Sequence, residues 1–386
     1  MPWRVSSVMD ERIQFVRQAM AEGANLSRVC EHFGISRPTG YRWLSRYRAT
    51  GSVLSLADRS RRPRHSPGRT SAEIESRVTA LRHQYGWGAK KIHTLLARDG
   101  VAVPCATINR ILRRHGLLEP MAHNPAATIR FERPCPNELW QMDFKGEFAM
   151  SGGACYPLTV VDDHSRFALG IRALPSVQGV GAQRSLDTIF ATYGLPEAML
   201  MDHGSPWWST TNGYGLTMLS VWLIKHDIRL VWSRIRHPQT QGKVERFHRT
   251  LKDDVLRYSR PDTLVGWQQA FDRFRHCYNH IRPHESLNMA VPADRYQPSQ
   301  RPYPEPVREW VYPSGATVRR LSTHGCLSFG SRYYFICEAL AHEQVRVEHL
   351  PDRLLVSYRH MYIREIELDT GKTKPLVIPI TDNGGV

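Results

Sequence analysis

Three acidic residues stand where a carboxylate could do chemistry rather than decorate a surface. Asp143 falls inside an apolar run, flanked by Trp140, Met142 and Phe144. Burying a lone carboxylate there is costly, so it needs a compensating partner. Asp202 directly follows the short apolar run Ala198 to Met201 and precedes Gly204 and Pro206. It would therefore sit just past the C-terminal end of a strand, where ligand-binding and catalytic groups gather in α/β sheets. Glu245 opens a helical pattern in which Val244, Phe247, Leu251 and Val255 form the apolar stripe and Glu245, Arg249 and Lys252 share another face. A metal ligand beside phosphate contacts would look like this. So would an exposed Glu-Arg pair worth roughly 0.3 kcal/mol, and the helix alone favours that plainer reading.

The elements that must position these residues can be sketched from periodicity. Leu139 to Phe144, Tyr156 to Val161 and Phe167 to Leu174 are strand-like. A helix over about Val177 to Tyr193 leads to the strand Ala198 to Met201. A helix around Leu216 to His226, a strand over Ile228 to Trp232, a helix over Lys243 to Leu256 and another over Leu264 to Ile281 follow. Three early strands and then alternating helices and strands predict an α/β or mixed-sheet domain. Beyond Pro292 the chain turns Pro-rich and then β-like, with short strands at Val318 to Leu321, Arg332 to Ile336, Val345 to Val347 and Leu354 to Tyr358. These predict a small barrel or sandwich of four to six strands.

Charge sets the N-terminal region apart. The formal net charge is +16, and residues 1–120 hold 12 of those excess positive charges. Such asymmetry suggests a half that binds a polyanion. Arg outnumbers Lys 44 to 8, which suits two-point phosphate contact, although coding bias explains at least half of the ratio. Asp10 to Arg48 reads as three helices. The last begins at a Ser36 cap after the Gly34-Ile35 turn, a helix-turn-helix pattern that aims Arg37, Thr39 and Arg42 at the major groove. A plain three-helix bundle is the alternative. Residues 57–70, with Arg61 and Arg62, read as a basic linker that either lies along phosphates or merely tethers. Three further helices, around Ile74 to Leu81, Ile92 to Leu96 and Thr107 to His115, resemble a second helix-turn-helix. Asn109, Arg110, Arg113 and Arg114 crowd its last helix. The seven cysteines are odd in number and never spaced C-x-x-C, which argues against a disulfide framework or zinc ribbon. Without a signal-peptide run or a membrane-length apolar stretch, the default expectation is a soluble protein in a reducing cytoplasm.

Five segments together resemble the DDE transposases of insertion sequences, whose catalytic core is shared with retroviral integrases. They are Leu139 to Lys145, Val160 to Arg166, Leu200 to Pro206, His237 to Lys252 and Tyr278 to His284, in the order of that family. The resemblance implies a ribonuclease-H-like core, a five-stranded mixed sheet flanked by helices, whose first and fourth strands are neighbours. It implies Asp143, Asp202 and Glu245 as a catalytic, metal-binding triad holding two Mg²⁺ or Mn²⁺ ions, roughly 4 Å apart. Those ions would assist water in freeing a 3′-OH, and then that 3′-OH in attacking target DNA. Lys243, Arg249 and Lys252 would contact DNA. The implied multidomain plan is an all-α helix-turn-helix domain (1–54), a basic linker (55–70), a second helix-turn-helix-like domain (71–120), the α/β catalytic core (130–296) and a small all-β, barrel-like C-terminal domain (305–372). Joining two ends implies at least a dimer on double-stranded DNA, both element terminal repeats and target. The chain departs from the family at His203, where Asn is frequent, and at Trp207 to Gly215, which reads as an extra loop.

Other features weigh less. His276, His280 and His284 beside Cys277 mimic a zinc face, yet fit better as a structural or DNA-contacting segment. Asp162 and Asp163 before Ser165 read as a turn rather than as extra ligands. Trp207-Trp208 either stacks on an unpaired base or anchors a loop in the core. The competing functions are a DNA-binding regulator or domesticated protein with an inactive core, and a phage-type integrase or stand-alone nuclease.

Overall fold

The computed structural model describes residues 7–59, 69–118, 132–209, 215–232, 242–303 and 307–380. Arg61, Arg62 and most of the proposed linker lie outside these residues, as does His237 to Gln241. The chain divides into two compact units, Met1–Ser71 and Ala72–Val386.

The first unit is three helices: α1 (Val8–Ala19), α2 (Leu26–His32) and α3 (Arg37–Thr50). Each start has its own cap. The Ser7, Asn25 and Ser36 side chains accept from backbone N–H groups of the first turns, which otherwise lack partners. Phe15, Val16, Cys30, Trp43 and Leu56 fill the core. Gly40 of α3 has no room for a side chain, because a Cβ there would come within 2.4 Å of Cys30 Sγ.

The second unit begins with α4 (Ala72–Tyr85), α5 (Ala89–Arg98) and α6 (Cys105–Arg114). Val78, Trp87, Ile92, Leu96, Ile108, Ile111 and Leu112 form their core, and Cys277 and Ile281 from the later helical segment pack against it. Lys90 Nζ lies 3.3 Å from Glu285, and Arg98 donates to the carbonyls of Ile281 and Met289.

A mixed sheet follows, made of β1 (Trp140–Phe144), β2 (Phe148–Met150), β3 (Gly153–Asp162), β4 (Ala168–Leu174), β5 (Ala198–Met201) and β8 (Arg229–Trp232). β3 pairs antiparallel with β1, β2 and β4, whereas β1–β5 and β5–β8 are parallel. The order β4-β3-β1-β5-β8 is the five-stranded ribonuclease-H-like arrangement, with β1 and β5, the first and fourth of these strands in chain order, adjacent. The short β2 is an addition that the sequence reading lacked.

Alternation along the strands divides the core into two layers. Trp140, Met142, Leu158, Val160 and Leu169 face α7 (Gly179–Tyr193) and α8 (Met218–Lys225). Cys155, Val161, Ala168 and Ile171 face α9 (Gly242–Tyr258) and α10 (Leu264–His276). Val244, Phe247, Leu251 and Val255 are buried, as the stripe predicted. Helix α10 continues into a π-helical turn, Cys277–Ile281. Between β5 and α8 lies a two-stranded pair, β6 (Trp208–Ser209) and β7 (Gly215–Leu216), within the extra loop expected there.

The C-terminal region is all-β: β9 (Val318–Arg320), β10 (Cys326–Phe329), β11 (Arg332–Phe335), β12 (Gln344–His349), β13 (Arg353–Tyr358), β14 (Met361–Glu367) and β15 (Thr373–Pro379). Five strands form one sheet in the order β15-β14-β13-β12-β9, and β10–β11 is a hairpin, so seven strands stand where four to six were expected. Lys225 of α8 pairs with Glu343 at 2.6 Å, and Arg359 donates to the Lys225 carbonyl, fastening this sheet to the core.

Candidate active site

Local structure brings two of the three carboxylates together before any side chain is considered. In the parallel β1–β5 pair, Trp140 aligns with Met199 and Gln141 with Leu200. Continued two residues further, that register sets Asp143 opposite Asp202. Trp140 and Met142 enter the α7/α8 layer, so alternation sends Asp143 to the α9 side. Glu245 stands exposed in the first turn of α9.

Electrostatics ties the three together. The Asp143 carboxyl is pushed up to about 7, first by burial and then by the negative charge of Asp202, with Glu245 adding a smaller push. A carboxylate that resists ionisation because others crowd it marks a site that lacks positive charge. Asp202 is oriented by two donors on one oxygen: the Gly204 N–H at 2.9 Å and the Trp207 indole N–H at 2.6 Å both reach Oδ1. Among the described residues, no three His, Cys, Asp or Glu side chains converge closely enough to ligate one ion. The hard oxygen donors of Asp143 and Asp202 nonetheless suit Mg²⁺ or Mn²⁺, and a cation would relieve the repulsion at Asp143.

His248, one turn after Glu245, escaped the sequence reading. It is buried on the apolar side of α9, and its Nε2 lies 2.7 Å from Thr159 Oγ1. Thr159 already donates its hydroxyl proton to the Asp143 carbonyl at 2.9 Å, so the imidazole is the donor in that contact. Its Nδ1 then faces Asp143 Oδ2 at 3.8 Å. Burial, with help from Lys145, lowers its pKa to about 3, so the ring is neutral. Its signal was a titratable residue where the stripe called for an aliphatic one. Lys145, beyond the same strand, senses both Asp143 and Lys252.

The other expected residues fall into distinct settings. Arg249 and Lys252 are exposed on α9. Lys243 is not: its ammonium lies 2.6 Å from the fully buried Asp163 carboxylate, and burial lowers its pKa to about 8. Removing it strands a buried charge. Lys243→Ala is therefore expected to cost about 3 kcal/mol of folding stability while leaving the salt dependence of DNA binding unchanged. A normal denaturation midpoint with a shallower salt slope would instead make it a DNA contact.

Asp162 Oδ1 accepts from the Ser165 N–H at 2.7 Å and from its hydroxyl, and Asp162 Oδ2 accepts from the Asn137 N–H, as the turn reading predicted. Trp207 is buried and stacks on Phe144, which settles the Trp207 alternatives in favour of anchorage. Arg37 and Arg42 are exposed at the start of α3, whereas the Thr39 hydroxyl is engaged with Ser36 in the cap. Asn109, Arg110, Arg113 and Arg114 are exposed on α6, with Arg114 also paired to the buried Glu75. His284 is half-buried, its pKa lowered to about 3 chiefly by desolvation, and its ring faces the Tyr278 carbonyl.

Comparison with known proteins meets this geometry. Residues 133–238 and 226–292 match two models, each described as an integrase core domain. The chain carries an integrase core. Residues 11–64 match a helix-turn-helix domain and residues 39–112 a homeodomain-like domain. The chain is 26% identical over 235 residues to the 31.7 kDa protein of insertion element IS407 of Burkholderia multivorans, covering 59% of this chain and 82% of that protein. It is 25% identical over 238 residues to the 39.2 kDa protein of insertion element IS476 of Xanthomonas euvesicatoria, covering 60% and 67%. The chain is also similar to part of the Gag-Pol polyprotein of feline leukemia virus, at 27% identity over 52% of this chain and 12% of the polyprotein. Among solved structures, the HTLV-2 integrase catalytic core domain in complex with magnesium aligns at 14% identity and a TM-score of 0.34, covering 42% of this chain and 99% of that one. No helix among the described residues is long and apolar enough to cross a membrane.

Proposed function

We propose that this protein is a DNA transposase that binds the terminal inverted repeats of a mobile element, cleaves its 3′ ends and transfers them to target DNA. The observation that carries this reading is Asp143 in β1 beside Asp202, just past the end of the adjacent parallel strand β5, with the Asp143 carboxyl raised by burial and by two neighbouring carboxylates. In this reading Asp143, Asp202 and Glu245 hold Mg²⁺ or Mn²⁺, two ions per site. When bound, the ions supply Lewis-acid activation of the attacking oxygen and charge stabilisation at the departing 3′ oxygen. The protein's own part is placement. Trp207 and Gly204 fix one edge of Asp202, and neutral His248 holds the Asp143 strand through Thr159. Arg249 and Lys252 on the open face of α9 bind the phosphates flanking the scissile bond. Arg37 and Arg42 of α3, with Asn109, Arg110, Arg113 and Arg114 of α6, read or grip the element end. Two ends must meet, so the working form is a dimer or larger.

A strand-transfer assay tests the function. A labelled duplex carrying the element's own ends is incubated with an unlabelled plasmid and Mg²⁺ or Mn²⁺. Label joined to plasmid through a 3′ end supports transposition, and cleavage without joining would reduce the protein to a nuclease. The second reading, a DNA-binding regulator with an inactive core, draws on the unclosed triad among the described residues. Specific binding with neither cutting nor joining would favour it.

A further inference from the structure

The indole of Trp207 does more than fill the core. It is 1% exposed, and its ring stacks on Phe144 with centroids 5.4 Å apart and planes 17° from parallel. Phe144 is the residue after Asp143, and the Trp207 N–H reaches Asp202 Oδ1. One side chain thus spans the two strands that carry the facing carboxylates. Its backbone is held as well: its carbonyl accepts from the buried Ser220 hydroxyl, within the cap that starts α8. The Trp208 N–H donates to the Gly204 carbonyl at 3.0 Å. Gly204 lies so close under the carboxylate that a Cβ there would meet Asp202 Oδ1 at 2.9 Å and Oδ2 at 3.0 Å.

Burial by itself does not force this hydrogen bond. The indole nitrogens of Trp87, Trp232 and Trp267 are buried without an acceptor among the described residues. At Trp207 the acceptor is a carboxylate, and a donor on an ionised acceptor makes one of the stronger hydrogen bonds available to a side chain. Both donors converge on Oδ1, which leaves Oδ2 as the oxygen free of these bonds.

We propose that Trp207 is a positioning residue that locks the Asp202 carboxylate by Oδ1 so that Oδ2 is presented to a divalent cation. This rests on the transposase reading of the site. A donor that orients a metal ligand typically accounts for a 10- to 100-fold change in metal affinity.

The test compares wild type with Trp207→Phe and with a protein carrying benzothienylalanine at position 207. The latter keeps the indole shape but replaces the N–H by sulfur. Mn²⁺ binding is followed by electron paramagnetic resonance without DNA, beside melting temperature and the Mn²⁺ dependence of cleavage. The expected result is Mn²⁺ affinity weakened about tenfold or more in both variants, with cleavage recovered at high Mn²⁺. The benzothienyl protein should stay folded and melt only a few degrees below wild type, the shift that losing one charge-assisted hydrogen bond gives. Wild-type affinity in the benzothienyl protein would overturn the proposal, because only the N–H has been removed. If wild type itself neither binds Mn²⁺ nor cleaves, the transposase reading fails first and takes this proposal with it.

Discussion

Asp202→Asn is expected to slow metal-dependent DNA cleavage on the order of 10³-fold or more, with DNA affinity kept or slightly tightened. The argument begins with charge. An amide has nearly the shape of a carboxylate, so the hydrogen bonds from Gly204 and Trp207 to one oxygen can survive. What disappears is the negative charge that would share a cation with Asp143. Losing about 4 kcal/mol of transition-state stabilisation corresponds to about a thousandfold in rate. In the proposed reading binding is carried by cations elsewhere, including the exposed Arg249 and Lys252, and removing an anion near phosphates lessens repulsion. Single-turnover cleavage and a binding titration at the same salt check both halves. Cleavage within tenfold of wild type would remove Asp202 from the chemistry.

Asp143 gives the second large effect, and it concerns stability. Its carboxyl sits at about 7 in the folded protein against an ordinary 3.8. The folded state therefore keeps a proton that the unfolded chain gives up. Stability from this group is fully present below about pH 4 and is lost as pH rises to about 7, by at most about 4 kcal/mol. Above pH 7 the site holds an unrelieved cluster of negative charge. In EDTA at pH 8, Asp143→Asn should therefore melt several degrees above wild type, and the two should converge near pH 4. Adding Mg²⁺ should raise the melting temperature of wild type and not that of the variant. Thermal melts across pH test this directly. A gap between the proteins that does not change with pH would mean that the carboxyl is not strained.

This opposition between stability and function explains which parts of the site were legible in the sequence. Asp143 and Asp202 could be read because each breaks a hydrophobic pattern at a defined point of a strand, and the β1–β5 register then sets them face to face. The buried stripe of α9 was equally legible, since Val244, Phe247, Leu251 and Val255 repeat at helical spacing. His248 was not, because a polar residue on that stripe is explained only by Thr159, which arrives from β3. Lys243 looked like a DNA contact because positive charge beside Glu245 suggests phosphate. Its partner Asp163 lies 80 residues away in sequence, and only folding brings them together. Trp207 stayed ambiguous for the same reason, its partners Phe144 and Asp202 lying one at the end of β1 and the other just past β5. The strands β2, β10, β14 and β15 were missed: β2 has three residues and β10 four, and β14 and β15 mix charges and proline into their alternation.

The most direct measurement is cleavage of an end-labelled duplex carrying the element's own terminal repeat, by wild type and by Glu245→Gln side by side, with Mg²⁺, Mn²⁺ or EDTA. Glu245 is the exposed member of the triad and the one whose amide is least able to disturb the fold. The expected result is a nick that leaves a 3′-OH at the repeat boundary, made by wild type alone and only with metal, while both proteins bind the duplex equally. Equal metal-dependent nicking by both proteins would contradict the three-carboxylate site.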